Sequence, residues 1–316
     1  MFYIYPYMAG SKSVKKLKEL LGAKIIKLEN SKYRPKASDI VINYGNSRIP
    51  SWLNADVAIL NHPDKVRIAS NKLDTFVALQ NANVPTVPFT TNKSEAERWL
   101  SEGTKVFVRT ILNGHSGAGI EVVQQQVSSS TPEIVEELNQ LLDEYYNSTD
   151  DPTDQFIIQE LQKTLDENEV QEDVTVPELS DAPLYTKGVS NAGEYRVHVA
   201  DGEVILYQKK SRKVDEEGNV ITPDGEEADV RNLASNWVYR TGNLRRLERV
   251  EDLAVLAINE LGLDFGSVDI IMDTDGEVYV LEVNTASGLG NTDTQVAYDR
   301  AFRGLPPQLQ DVNDEE

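Results

Sequence analysis

Glu277 to Gly288, EVYVLEVNTASG, decides the reading of this chain. Residues two apart in a strand share a face and lie about 7 Å apart, so Glu282 and Asn284 project together while Leu281 and Val283 cover the opposite face. Just upstream, the apolar run SVDIIMD from Ser267 is broken by Asp269, and Thr274 to Gly276 joins the two runs. A carboxylate in such a run is costly to bury unless it is paired or bound to a metal. Three oxygen donors on neighbouring strands, without sulfur or imidazole, suit Mg²⁺, which keeps waters and substrate phosphates in its shell. The alternative is that Asp269 and Glu282 pair structurally with arginines. Asp273 and Asp275 imitate a calcium loop, but no Glu at the right offset completes it, so they read as a polar hairpin turn.

Two further constellations lie upstream. Lys105 to Val123, KVFVRTILNGHSGAGIEVV, reads as strand, glycine-rich tip, strand. The tip, Gly114 to Gly119, exposes backbone N–H groups able to fold over phosphates, with Ser116 adding a hydroxyl. It has neither the Lys-Ser/Thr ending of a Walker motif nor a strand-then-helix setting, and a plain flexible turn is the alternative. Farther on, alternation in EYRVHV puts Glu194, Arg196 and His198 on one face against Tyr195, Val197 and Val199, and Lys209, Lys210, Arg212 and Arg231-Asn232 follow. Cations beside acids suit a reaction that develops charge on phosphate. A solvated ladder of ion pairs would look similar.

Around these runs the chain organises as α/β, turning α+β in its C-terminal part. Strand signals at FYIYP, Lys24 to Leu28, Asp39 to Tyr44 and Val57 to Leu60, with a helix placing Val14, Leu17, Leu20 and Leu21 on one face and Gly22 at its end, predict a small parallel α/β domain over residues 1–62. Such domains bind ligands at the carboxyl ends of their strands. A central unit over 63–183 opens with a helix repeating Leu73, Phe76, Val77 and Gln80, followed by a helix over Lys93 to Ser101 and the glycine-rich hairpin. Residues 124–183 read as an acidic insertion with a helix at Pro132 to Tyr145 and a strand at Phe156. The last unit, 184–305, is predicted antiparallel, with a hairpin turn at Asp201-Gly202 and a helix over Glu251 to Leu261 closed by Gly262; residues 306–316 read as a disordered tail.

The 316 residues, 40% of them hydrophobic, contain no apolar stretch long enough to span a bilayer, and the N-terminus lacks the charged start of a secretory signal, which together place the protein in the cytoplasm. Having no cysteine excludes disulfides, thiolate metal sites and cysteine nucleophiles; three histidines argue against a multi-histidine metal site. A net charge of −21 makes nucleic acid an unexpected partner.

In chain order, Asn61-His62-Pro63 before the Lys72 helix, the Val-Pro signal, Val-Arg with its glycine-rich hairpin, E-x-R, a cationic strand, R-N, Asp269 and then E-x-N resemble the ATP-grasp superfamily over about residues 1 to 304. LEVNTASG is close to that family's E-x-N-x-x-P-G, with Ser287 in place of the proline, which implies a less constrained closing turn. The sequence looks nearest to the peptide-ligase branch that includes ribosomal-protein glutamate ligases and small phage-encoded relatives.

The resemblance implies an N-terminal α/β domain plus two α+β lobes gripping ATP, with Mg²⁺ and Mn²⁺ as the alternative ion. Lys72 would reach the phosphates, and Arg109 stands where most members carry a second lysine. Ser116, Gly117 and Gly119 would form the lid, with His115 either a phosphate donor or an exposed loop residue. FIIQEL at Phe156 and LYTKG at Leu184 both suit the adenine hinge; Tyr185, Thr186 and Lys187 are chosen, with Glu194 near the ribose and Lys209 among the nucleotide contacts. Arg196 and Arg231 would hold an acyl phosphate with Asn232 assisting, and Asp269, Glu282 and Asn284 would hold magnesium. The implied activity joins a carboxylate substrate, either a small molecule or a peptide or protein terminus, to an amine acceptor, with neither nucleic acid nor membrane as a partner and a homo-oligomer left open. A binding protein that lost turnover and a phosphotransferase are the alternatives, and ADP release requiring both acid and amine separates them.

Overall fold

The computed structural model describes residues 1–53, 57–114, 118–130, 140–142, 162–163, 171–215, 217, 219–221, 230–242 and 244–309. Four parallel strands open the chain: β1 (Phe2–Pro6), β2 (Lys24–Ile25), β3 (Ile40–Tyr44) and β4 (Ala58–Leu60), in the order β2-β1-β3-β4. Helix α1 (Lys12–Leu21) starts where the Ser11 side chain accepts from the Val14 N–H, and ends at Gly22, whose φ of 60° is a left-handed position that glycine adopts without strain. It buries Val14, Leu17 and Leu21. The strand expected over Lys24 to Leu28 pairs at only its first two residues.

Helix α2 (Pro63–Ala69), not anticipated from the sequence, is capped by the His62 side chain and has proline in its first turn. In α3 (Lys72–Asn81) Asn71 caps the helix, and the buried face is Thr75, Phe76 and Leu79. Val77, expected inside, is 41% exposed, because Phe76 rather than its neighbour turns toward Val87, Leu184 and Ile271. Strand β5 (Phe89–Thr90), helix α4 (Lys93–Ser101) and the hairpin of β6 (Val106–Arg109) and β7 (Ile120–Val123) follow. Strands β8 (Gln126–Ser130) and β9 (Gln171–Thr175) form a separate antiparallel ribbon within the expected insertion. The strand expected at Phe156 and most of the helix expected over 132–145 lie outside the described residues, as do residues 310–316 of the tail.

Strand β10 (Leu184–Lys187) completes a sheet in the order β5-β10-β6-β7, pairing antiparallel with β5 and β6. The last lobe was expected to start at Leu184, but this segment belongs to the central sheet, and the change of sheet falls between Lys187 and Gly193. The third sheet has the order β13-β12-β11-β14-β15, from β11 (Gly193–Ala200), β12 (Glu203–Arg212), β13 (Trp237–Arg240), β14 (Phe265–Met272) and β15 (Val278–Asn284), all antiparallel. Asp201 and Gly202 both have positive φ, the conformation a two-residue hairpin requires.

Helix α5 (Glu248–Glu260) covers one face of this sheet, burying Val250, Leu253, Ala257 and Ile258 against Tyr195, Val197, Val268 and Val283. The polar alternates of those strands are thereby turned the other way, toward the central sheet. Helix α6 (Thr292–Phe302), which no sequence signal had marked, packs Tyr298 and Phe302 against Phe265 and shares a core with Ile4 and Tyr44 of the N-terminal sheet and Val14 and Leu17 of α1. Buried Asn61 reinforces that junction, donating to the Phe265 carbonyl at 2.9 Å and accepting from the Asp264 N–H at 2.8 Å.

Candidate active site

A cleft of about 1280 Å³ separates the central sheet from the last one and reaches Tyr7 and Gly45 at the carboxyl ends of β1 and β3. Among the described residues seven cations line it, Lys72, Lys105, Arg109, Lys187, Arg196, Lys210 and Arg231, against three acids, Glu194, Asp269 and Glu282. In a chain of net charge −21, that local excess concentrates anions where the surrounding surface repels them.

Strand register builds the centre of the site. Arg196 lies opposite Asp269, and Asp269 opposite Glu282, across β11, β14 and β15, with Asn284 opposite Ser267. A β-bulge between Asp269 and Ile270 breaks the alternation on β15. Leu281, expected on the far face from Glu282, therefore also lines the cleft and packs with the Phe76 cluster.

Arg196 grips Asp269 with two parallel bonds, Nε to Oδ1 at 2.6 Å and Nη2 to Oδ2 at 2.7 Å, and stacks over the Tyr239 ring at 4.1 Å. Burial alone would raise the Asp269 pKa, but the guanidinium overrides it and holds the carboxylate below its usual range. Burial would likewise lower the Arg196 pKa, and Asp269 reverses the sign. The structural pairing considered for Asp269 is thus present, and it keeps the carboxylate ionised.

Lys72, at the start of α3, donates to Glu282 Oε1 at 2.8 Å and to the Gly114 carbonyl at 3.2 Å, so one ammonium links α3, the glycine-rich turn and the β15 carboxylate. Arg109 is buried, with Nε 3.4 Å from Thr186 Oγ1; burial lowers its pKa and Glu282 partly offsets the shift. Gly119 has φ +72°, and a Cβ there would stand 2.7 Å from Ile111. His115, Ser116 and Gly117 lie outside the described residues.

Three expectations need correction. Lys209 does not reach the cleft. It pairs in register with Tyr195 and lies over that ring at 5.9 Å on the α5 side, whereas the next residue, Lys210, faces the site and donates to Glu194 Oε2 at 2.5 Å. Tyr185 points into the core with Trp99 and Val106, its hydroxyl bonded to the Ser180 carbonyl, so of that strand only Thr186 and Lys187 line the cleft. Asn232 lines the cleft as expected, and its Oδ1 accepts from the Ser235 N–H at 3.1 Å, which holds a turn there. The closing turn is not loose: the Ser287 carbonyl accepts from Tyr44 OH, and its hydroxyl bonds Ser267 Oγ at 2.8 Å and Tyr298 OH at 3.1 Å. Hydrogen bonds replace the rigidity a proline ring would supply.

Glu194 stands between Lys210 and Arg231, the latter at 3.7 Å, and also accepts from Asn191 Nδ2 at 2.8 Å. The sequence reading missed β13. Its Trp237 and Tyr239, two apart and therefore on one face, carry Arg231 at 4.4 Å and Lys210 at 5.2 Å. The W-x-Y alternation in WVYR was the available signal.

His198 lies beneath the site, fully buried between Gln208 Oε1 at 3.0 Å and Tyr298 OH at 3.2 Å. Burial first, and the Arg196 charge second, lower its pKa from 6.5 to about 4. The unfolded chain therefore takes up this proton first as pH falls, so the stability His198 contributes is complete above pH 6.5 and lost as pH drops toward about 4. A loss on the order of 3 kcal/mol is expected across that window. In urea titrations His198→Gln should flatten the dependence, and parallel curves for both proteins would contradict this.

No family model matches the chain. Tetrahydromethanopterin:alpha-L-glutamate ligase of Methanocaldococcus jannaschii is 28% identical over 249 residues, 76% of this chain and 66% of that protein, so the match spans just under two thirds of the relative's length. Among solved structures, the ATP-grasp ligase PsnB, complexed with minimal precursor, Mg and ADP, superposes with a TM-score of 0.55 at 14% identity, covering 93% of this chain and 91% of its own. The D-alanine–D-alanine ligase of Bacillus anthracis gives 0.51 at 13% identity, covering 96% and 91%. The chain has the ATP-grasp fold. The cleft lies between the central and the last sheet, and Tyr7 and Gly45, at the ends of β1 and β3, bring the N-terminal sheet to it. Among the described residues no helix is long and apolar enough to cross a membrane.

Proposed function

We propose that this chain is an ATP-dependent carboxylate–amine ligase. The observation that carries the reading is the row Arg196, Asp269 and Glu282 across β11, β14 and β15, set within an excess of cations lining the cleft between the central and last sheets. Asp269, Glu282 and Asn284 offer oxygen donors on adjacent strands, the donor chemistry a hard cation takes; Arg196 holds both oxygens of Asp269 and Lys72 one oxygen of Glu282, so a bound ion would share or displace those contacts. Among the described residues no three His, Cys, Asp or Glu side chains group to hold a metal by themselves. When bound, Mg²⁺ supplies neutralisation of phosphate charge.

The chain's own residues then position and shield. The apolar wall of Phe76, Phe107, Ile271 and Leu281, beside Thr186 and Lys187, suits a nucleobase, and Lys72 and Arg109 suit the phosphates. A substrate carboxylate oxygen bonds to the γ-phosphorus as the bond to the bridging oxygen breaks, releasing ADP and leaving an acyl phosphate. Arg196, Lys210 and Arg231 stabilise the charge that develops. An amine nitrogen then attacks the acyl carbon, phosphate departs, and a proton is lost to give the amide. Excluding water from the cleft protects the acyl phosphate.

Screening acids and amines for ADP release, with mass spectrometry of products, tests this. ADP formed only with both supports the ligase; ADP with a phosphorylated product and no amine supports a phosphotransferase. Lys210 and Lys209 supply an internal comparison. Lys210→Met should slow turnover roughly 10²-fold, whereas Lys209→Met, on the other face, should change it less than about twofold. Equal effects in steady-state kinetics would remove Lys210 from the site.

A further inference from the structure

A second cavity, of about 410 Å³, opens at the edge of the last sheet and shares no lining residue with the cleft. Strand β13 pairs with β12 only from Lys209 to Arg212, so Ile205, Leu206 and Tyr207 have no strand beside them on that side. The turn after β13, the first two turns of α6 and the chain at Leu309 close over the gap. Its size falls within the ~300–1,000 Å³ of small-molecule sites, and its make is theirs: apolar walls with a few polar groups.

Those polar groups are unequally served. Arg246 is held by both oxygens of Glu251, which balances its charge. Asp293, in the first turn of α6, accepts a hydrogen bond from the Thr241 hydroxyl, and among the described residues no ion pair reaches it. The acids of the cleft differ, for Arg196, Lys72 and Lys210 pair respectively with Asp269, Glu282 and Glu194. Tyr207 is 6% exposed, and its hydroxyl proton has no acceptor among the described residues; the Leu247 N–H that faces this oxygen is itself a donor. The cavity thus offers one carboxylate without a counter-charge and one buried donor without an acceptor, a state that costs stability until a ligand meets it.

We propose that this cavity binds a small monoamine with an apolar body and a carbonyl acceptor. The ammonium goes to Asp293 in a charge-assisted bond, the apolar body to Ile205, Leu244 and Val296, and the carbonyl to the Tyr207 hydroxyl. One carboxylate without a counter-charge selects a single positive charge: a carboxylic acid would be repelled, and a polyamine would leave charges unmatched. The assignment does not rest on the ligase reading, because the amine that ligation consumes must enter the cleft, with which this cavity shares no residue.

Isothermal titration calorimetry of the full chain without nucleotide tests this, with L-leucinamide as the probe. It should bind, and 4-methylpentanamide, the same molecule without its amino group, should bind about tenfold or more weakly. Asp293→Asn, which keeps an acceptor for Thr241, and Val296→Trp, which fills the cavity from a 40% exposed position, should each weaken leucinamide about tenfold or more. Tyr207→Phe should weaken it about threefold or more while sparing 3-methylbutylamine, which has no carbonyl. Glu282→Gln, in the cleft, should change it less than about twofold. Circular dichroism melts establish that each variant is folded, and if Asp293→Asn is not, Val296→Trp carries the test. No binding to the parent, equal binding of 4-methylpentanamide, or a folded Asp293→Asn or Val296→Trp variant that binds like the parent would overturn the proposal. So would a Tyr207→Phe variant that weakens both amines alike, or loss of binding in Glu282→Gln with Asp293→Asn unaffected, which would place the amine in the cleft.

Discussion

Glu282→Gln is expected to abolish ADP formation while leaving the chain folded. The amide keeps the shape of the side chain but removes the charge that balances Lys72, 2.8 Å away, and the donor most suited to Mg²⁺. Turnover should fall at least ~10²–10³-fold, the loss typical of removing one preorganised electrostatic group. Stability should change by less than about 1 kcal/mol, because the Lys72–Glu282 pair is partly open to solvent, with 29% of the Glu282 side chain exposed. ADP release paired with a thermal melt reads both quantities. A variant that turns over normally would remove Glu282 from the proposed site.

Arg231→Ala and Arg196→Ala should both slow ligation ~10²–10³-fold, with far smaller effects on ATP affinity, because contacts made mainly in the transition state are lost from kcat. They should part on stability. Arg231 sits at the edge of the cleft, stacked on Trp237 and 3.7 Å from Glu194, which Lys210 still balances. Its removal should leave the melt nearly unchanged. Arg196 holds both oxygens of a buried Asp269, so truncation leaves an unpaired carboxylate and should cost about 3–5 kcal/mol. The double variant Arg196→Met, Asp269→Leu should recover much of that stability without recovering turnover. Should Arg196→Ala and Arg231→Ala weaken ATP binding as much as they slow turnover, both are nucleotide contacts.

What the sequence disclosed follows the physical range of each signal. Period-two alternation needs only neighbouring residues, so the shared face of Glu194 and Arg196, the Asp201-Gly202 hairpin and the strands around Asp269 were all legible. Helix α4 matched residue for residue, because Asn92 caps it and Ala96, Trp99 and Leu100 repeat at helical spacing. The failures depend on long-range pairing. Nothing local shows that β10 joins β5 and β6, or that a bulge opposite Asp269 brings Leu281 to the side of Glu282. Choosing Lys209 over Lys210 was a one-residue error in register, and on a strand one residue is the difference between the cleft and the core. The hydrogen bonds that hold Ser287 come from residues 20 to 243 positions away or from a helix with no recognised start, so the loss of proline could only be read as a loss of constraint.

The central claim is that a substrate carboxylate is phosphorylated before the amine attacks. Once the screen yields an acid and an amine, supplying that acid with ¹⁸O in its carboxylate tests the claim most directly. The ligase account predicts ADP as the nucleotide product and one ¹⁸O transferred to inorganic phosphate for each amide formed. Unlabelled phosphate alongside amide product, or AMP with pyrophosphate in place of ADP, would contradict it.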